Sequence, residues 1–97
     1  MAAYIIAWVE VHNTAWRDAY GPTTMAVIQK HGGKVLTGFG ATMETLEGDK
    51  PLPSAIVVVE FPSLEHAKAF YHDPEYAPMI TLRQTGATTD IVVVEGM

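Results

Sequence analysis

Residues Ser54 to Tyr76 read SAIVVVEFPSLEHAKAFYHDPEY. Ile56, Val57, Val58 and Val59 are consecutive, which predicts a strand from Ser54 to Phe61 buried on both sides. Pro62 has no N–H for a sheet ladder and ends the strand. Ser63 can accept a bond from a free N–H of the next helical turn, so it caps a helix. Leu64, Ala67 and Tyr71 then recur at helical spacing, with Phe70 beside them. Asp73-Pro74-Glu75 predicts a second helix start: a cap, a proline in the first turn, and an acid at the positive end. Tyr76, Met79 and Ile80 are its core residues, and Gly86 is its stop.

The chain before this stretch predicts one strand–helix–strand unit. Ala3 to Val11 is rich in Tyr, Ile, Trp and Val. Ala3, Ile5, Ala7, Val9 and Val11 form an apolar row; Tyr4, Ile6, Trp8, Glu10 and His12 form the other, aromatic at one end and polar at the other. Large apolar side chains on both faces imply that both are covered. Asn13 or Thr14 caps a helix that Gly21-Pro22 kinks or restarts. Its apolar residues are Met25, Val27 and Ile28, and Gly32-Gly33 ends it after His31. Lys34 to Phe39 predicts a second strand, with a bulge or bend at Gly38 and Gly40. Thr42 to Glu47 predicts an extended continuation, and residues 48–53 a loop. Downstream, Ile91 to Glu95 predicts the last strand.

Composition narrows the function classes. Ninety-seven residues make one domain, 1–97, with a modest core. The absence of cysteine excludes disulfides, zinc-thiolate sites and a thiol nucleophile. A net charge of −5, with Lys and Arg scattered, argues against nucleic acid as partner. No apolar run reaches the ~20 residues of a membrane helix, and MAAYIIAWVEV lacks the marks of a signal peptide. The expectation is a soluble cytoplasmic protein with no nucleic-acid or membrane partner.

Strand, helix, strand, twice over, predicts an α+β, ferredoxin-like βαββαβ protomer with an antiparallel sheet. Its helices cover one sheet face only. The other face would show Ile, Val and aromatic side chains to water. A second copy placed sheet to sheet would cover them, so the chain predicts a homodimer. Burying ~600 Å² of apolar surface at about 25 cal/mol per Å² would favour pairing by roughly 15 kcal/mol before association costs.

Several segments together resemble one family. They are YIIAWVEVHN at 4–13, HGGKVL at 31–36, LEG at 46–48, VVVEFPSLEHAKAFYHDPEY at 57–76, and the later Arg83. The chain resembles the domain-of-unknown-function family DUF1330, of the dimeric alpha–beta barrel superfamily. That resemblance implies the same ferredoxin-like protomer and face-to-face dimer, and it assigns no reaction. Two arginines common in the family have no counterpart here; their neighbourhoods read Thr37-Gly38-Phe39-Gly40 and Pro53-Ser54. Phe70 stands where a tryptophan is common.

A few residues carry chemistry. Arg83 is the one cation of its otherwise apolar helix. It either clamps a carboxylate in a cleft between helix and sheet or pairs with Glu60 or Glu47. Tyr76 would shape that cleft or donate a hydrogen bond. His12 and Glu60 are the candidates to move a proton. Tyr4 and Trp8 share a strand face with His12, as ligand contacts or as dimer packing. In Tyr71-His72-Asp73, His72 resembles a base beside its orienter; alternatively Asp73 caps the helix and His72 lies at the surface. His12, His31, His66 and His72 have no metal-ligand spacing, and Gly38-x-Gly40 lacks the rest of a dinucleotide loop. No cofactor or metal is expected. The favoured reading is a homodimer that binds a small, partly apolar molecule in a sheet–helix cleft, with any chemistry cofactor-free and acid–base. The rival is a non-catalytic assembly or protein-interaction module.

Overall fold

The computed structural model describes residues 1–97. Strand β1 (Ala3–Val11) leads to helix α1 (Arg17–Lys30) and strand β2 (Lys34–Thr37). Strand β3 (Ala55–Phe61) leads through helices α2 (Leu64–Tyr71) and α3 (Ala77–Gln84) to strand β4 (Ala87–Glu95). The sheet order is β2-β3-β1-β4, with every neighbouring pair antiparallel. This is the ferredoxin-like α+β fold. No helix is long and apolar enough to cross a membrane.

Strand alternation divides β1 cleanly. Ala3, Ile5, Ala7 and Val9 are buried under the helices. They pack with Val27 and Ile28 of α1, Ala67 and Phe70 of α2, and Tyr76 and Trp16 of the connections. Tyr4, Ile6 and Trp8 point the other way and are half-buried. Across that open face the register builds rows: Val58–Ile6–Val92, Ile56–Trp8–Asp90 and Glu60–Tyr4–Val94. Val92 and Val94 are exposed, as is Leu36 on the outer strand. Lys50 Nζ lies 5.8 Å above the Trp8 ring.

The element boundaries differ from the sequence expectation in six places, each for a physical reason. Helix α1 begins at Arg17 rather than beside Asn13. Asn13 Oδ1 accepts from Ala15 N at 3.3 Å in a local turn, and Trp16 is the flanking residue. Pro22 lies inside α1, which continues through it without a restart. The missing N–H removes one internal bond, and packing on the core offsets that loss. Strand β2 ends at Thr37, because the ladder to β3 shifts register between Val35 and Thr37 and then stops. Residues 42–47 form no strand; they belong to a long connection that turns at Gly38–Ala41, with Gly40 at φ +86°. Helix α3 begins at Ala77, after a turn in which Tyr76 N and Ala77 N both donate to Asp73 O. Strand β4 starts earlier than its valines, at Ala87, because Ala87, Thr88 and Thr89 pair with Val11, Glu10 and Val9.

Candidate ligand site

Small side chains leave room beneath the helices. Ala7 of β1 presents only a methyl group to this space. A cavity of about 670 Å³ opens there, with a largely apolar lining of Ile5, Val57, Ile91, Trp16 and Phe70 among others. That volume falls within the usual range for small-molecule pockets. Its rim holds Arg17, Asp18, Met25 and Phe39. The Arg17 guanidinium sits 4.4 Å over the Phe39 ring. Met25, expected in the core, is exposed, and Thr24 is buried in its place.

One polar group interrupts this lining. Arg83 lies on the same face of α3 as Tyr76, two turns later, and is only 5% exposed. Its Nη1 donates to Tyr76 Oη at 2.8 Å and to Tyr20 Oη at 3.1 Å. The two phenol oxygens are 2.7 Å apart and share a hydrogen bond. Arg83 pairs with neither Glu60 nor Glu47, and it makes no ion pair at all. Its Nε is buried without a partner in the protein, and so are Thr24 Oγ1 and Thr89 Oγ1. All three residues line the cavity.

Counting protons shows what this cluster offers. Nη1 uses both of its protons on the two phenols. Of the two phenol protons, one serves the oxygen–oxygen bond and the other is left to point elsewhere. The Nε proton is also uncommitted. The cluster is therefore a surplus of donors at the end of an apolar chamber. Burial, and then the neighbouring Tyr20, push the Tyr76 phenol well above the ordinary tyrosine value, so it remains protonated. Burial also works against the Arg83 charge, but the Tyr76 and Tyr20 oxygens outweigh it and its pKa is raised. The guanidinium is a fixed cation.

A second cluster lies at the turn that leads into Tyr76. Asp73, 6% exposed, accepts from His31 Nε2 at 2.7 Å and from Lys30 Nζ at 2.9 Å. Its other oxygen accepts from Glu75 N at 2.8 Å. Lys30 also reaches Glu75 Oε1 at 2.7 Å. The His31 bond, then the Glu75 N–H and Lys30, hold the Asp73 carboxyl well below the usual carboxylate range. This tie fastens the C-terminal end of α1 to the turn that carries Tyr76. Asp73 thus closes a local turn ahead of α3 rather than capping the helix itself, whose flanking residue is Tyr76, and it joins two elements that sequence patterns do not connect.

Strand alternation divides the candidate residues between the two sides of the sheet. Arg83 and Tyr76 come together in the cavity. Tyr4, Trp8 and Glu60 stand on the open face, with the sheet between them and Arg83. Glu60 sits opposite Tyr4 and, as a hydrogen-bond acceptor, raises the pKa of that phenol. His12 follows β1 on the same side as Trp8 and bonds Thr88 Oγ1 through Nε2 at 2.8 Å. His72 is exposed beyond α2, edge-on to Tyr71. Tyr20 and Thr24 were not legible as site residues, because nothing in the spacing ties α1 to Arg83 across 63 positions. No group of three His, Cys, Asp or Glu side chains is placed to hold a metal ion.

Fold and cluster together define a ferredoxin-like α+β domain with a donor-rich cavity under its helices. The chain belongs to the family described as domain of unknown function (DUF1330), whose model matches residues 2–97. No curated protein matches it. Among solved structures it is similar to a protein of unknown function from Rhodopseudomonas palustris. That match has a TM-score of 0.75 and 18% identity, covering 99% of this chain and 82% of the other. It is also similar to SnoaB, a cofactor-independent oxygenase from Streptomyces nogalater. Here the TM-score is 0.64 and the identity 14%, covering 99% and 93% of the two chains. A third is a dimeric protein of unknown function and ferredoxin-like fold from Bacteroides fragilis, with a TM-score of 0.65 and 14% identity, covering 98% and 96%. At these identities the likeness shows the fold.

Proposed function

We propose that the protein binds a small, partly apolar molecule in the cavity between sheet and helices, with an anionic or carbonyl oxygen set against Arg83. The observation that carries this reading is the buried guanidinium that has no carboxylate partner. An uncompensated buried charge costs several kcal/mol. Two phenol oxygens, and the Tyr20 ring at 5.8 Å, offset part of that. An acceptor-bearing ligand would offset the rest. The likeness to a cofactor-independent oxygenase supports a chemistry, if there is one, performed by the protein's own side chains and the ligand. Proton transfer by His12 or Glu60 is proposed only for a molecule on the open face, since the sheet separates both from the cavity.

The test is a thermal-shift screen of small aromatic and alicyclic carboxylates and ketones on the wild type and on Arg83→Met. At least one compound should raise the unfolding temperature of the wild type and fail to do so in the variant. Stabilisation kept in full by Arg83→Met, or no stabilisation by any compound, contradicts the reading.

A second reading concerns assembly. We propose that the open face pairs with the same face of another copy. The apolar rows of Ile56, Val58, Ile6, Val92 and Val94 support it, as does the dimer that the Bacteroides fragilis protein forms. Without a ligand site, this pairing alone would be the protein's role.

A further inference from the structure

We infer that the cavity selects a ligand that arrives already ionised, a carboxylate or the conjugate base of an acidic phenol or enol, over its neutral isostere. The inference rests on the cavity reading above and goes further by fixing the charge state. It stands on the inventory of groups that face Arg83. From α1 come Tyr20, with Arg17 and Asp18 at the rim; from the turn before α3 comes Tyr76; from α2 comes Tyr71. The sheet contributes Thr89 and apolar side chains only. Within the chamber, then, every ionisable group is a phenol or the guanidinium. The one carboxylate is the exposed Asp18 at the mouth, and no histidine lines the cavity.

Two consequences follow. The chamber holds no side chain suited to take a proton from a weak acid at neutral pH, so it cannot itself create the anion from such a ligand. It does hold donors and a permanent cation in a largely apolar surround, where a charge-assisted hydrogen bond is stronger than in water. A neutral amide or alcohol would satisfy some of these donors but leave the buried charge unopposed. An oxyanion answers both. The protein's net charge of −5 opposes an anion at long range, so the preference must arise locally; Arg17 is exposed at the rim over Phe39, which leaves Arg83 as the cation inside the chamber. Tyr20 is the specificity residue in this arrangement: its phenol, bonded to Tyr76, sets which proton is turned toward the ligand oxygen.

The experiment compares naphthoate with its amide, naphthamide, by calorimetric titration of the wild-type protein. It adds para-nitrophenol, whose ionised form absorbs at longer wavelength, in a spectral pH titration. Naphthoate should bind at least about tenfold more tightly than naphthamide, and the bound nitrophenol should ionise about one pH unit or more below the free compound. Arg83→Met should bring naphthoate to the affinity of naphthamide, and Tyr20→Phe should shrink the nitrophenol shift. Equal affinity for acid and amide in the wild type, or nitrophenol bound with an unchanged or raised pKa, overturns the inference while leaving the cavity reading in place. If none of these three probes binds, and no compound of the earlier screen does either, the cavity reading fails and this inference fails with it. The wild-type comparisons need no variant, so poor folding of Arg83→Met does not spare the claim.

Discussion

Arg83 separates a binding role from a bracing one, because the two make opposite predictions. A buried ion that braces a fold has a partner of opposite charge, and removing it costs several kcal/mol. Arg83 has only phenols, which keep their mutual bond without it. Arg83→Met retains most of the aliphatic volume and removes the charge. Its unfolding free energy in urea is therefore expected to be unchanged or raised by up to ~2 kcal/mol. A loss beyond ~3 kcal/mol would show that the guanidinium holds the fold together. That Arg83 is unusual was legible in the sequence, since it is the lone cation among Ile80, Leu82 and Met79. Its partners were not. Tyr20 and Tyr76 meet only after α1 and α3 have packed, and helical spacing says nothing about which tyrosines converge.

At the scale of elements, the tie from the C-terminal end of α1 to the α2–α3 turn anchors the segment that carries Tyr76, and it is pH-dependent in a definite direction. The folded-state pKa of Asp73 lies below its ordinary 3.8, so its contribution to stability is complete above 3.8 and is lost as pH falls through the depressed value. Lys30 is raised from 10.5, chiefly by Glu75 and then Asp73, so its contribution is complete below 10.5 and is lost as pH rises through the raised value. Asp73→Asn should therefore unfold at a lower temperature than wild type at pH 7, with the gap closing as pH is taken below 3.8. A gap independent of pH would mean the carboxylate charge plays no part. The joint between α1 and β2 is equally exacting. A methyl on Gly33 would come within 2.6 Å of Ile28 Cγ2 and Phe61 Cε1, both buried. Gly33→Ala should cost about 1–3 kcal/mol of unfolding free energy, measured in urea; an unchanged midpoint would show that the joint has slack. The strands and helices were readable because their apolar residues repeat at periods of two and of about four. The start of β4 was not, because Ala87, Thr88 and Thr89 lack the large apolar alternation that marks a strand and are recognised only through their pairing with β1. Pro22 misled for a related reason: packing of Thr24, Val27 and Ile28 outweighs the local penalty of proline.

The whole molecule has one β-layer with two apolar faces and helices enough for one. The helix side encloses the cavity with Arg83; the other side carries Ile6, Trp8, Ile56, Val58, Val92 and Val94 toward solvent. This imbalance was legible from the first strand, where neither row of alternating residues is polar throughout. The cavity was not, since its apolar lining residues, Ile5, Ala7, Val57 and Ile91 among them, read as ordinary core. The proposed pairing through the open face would leave the helix-side cavity of each copy uncovered. Native mass spectrometry of the purified protein tests this directly. The account predicts a species at twice the 10.6 kDa chain mass at micromolar concentration. A single 10.6 kDa species under the same conditions would contradict it.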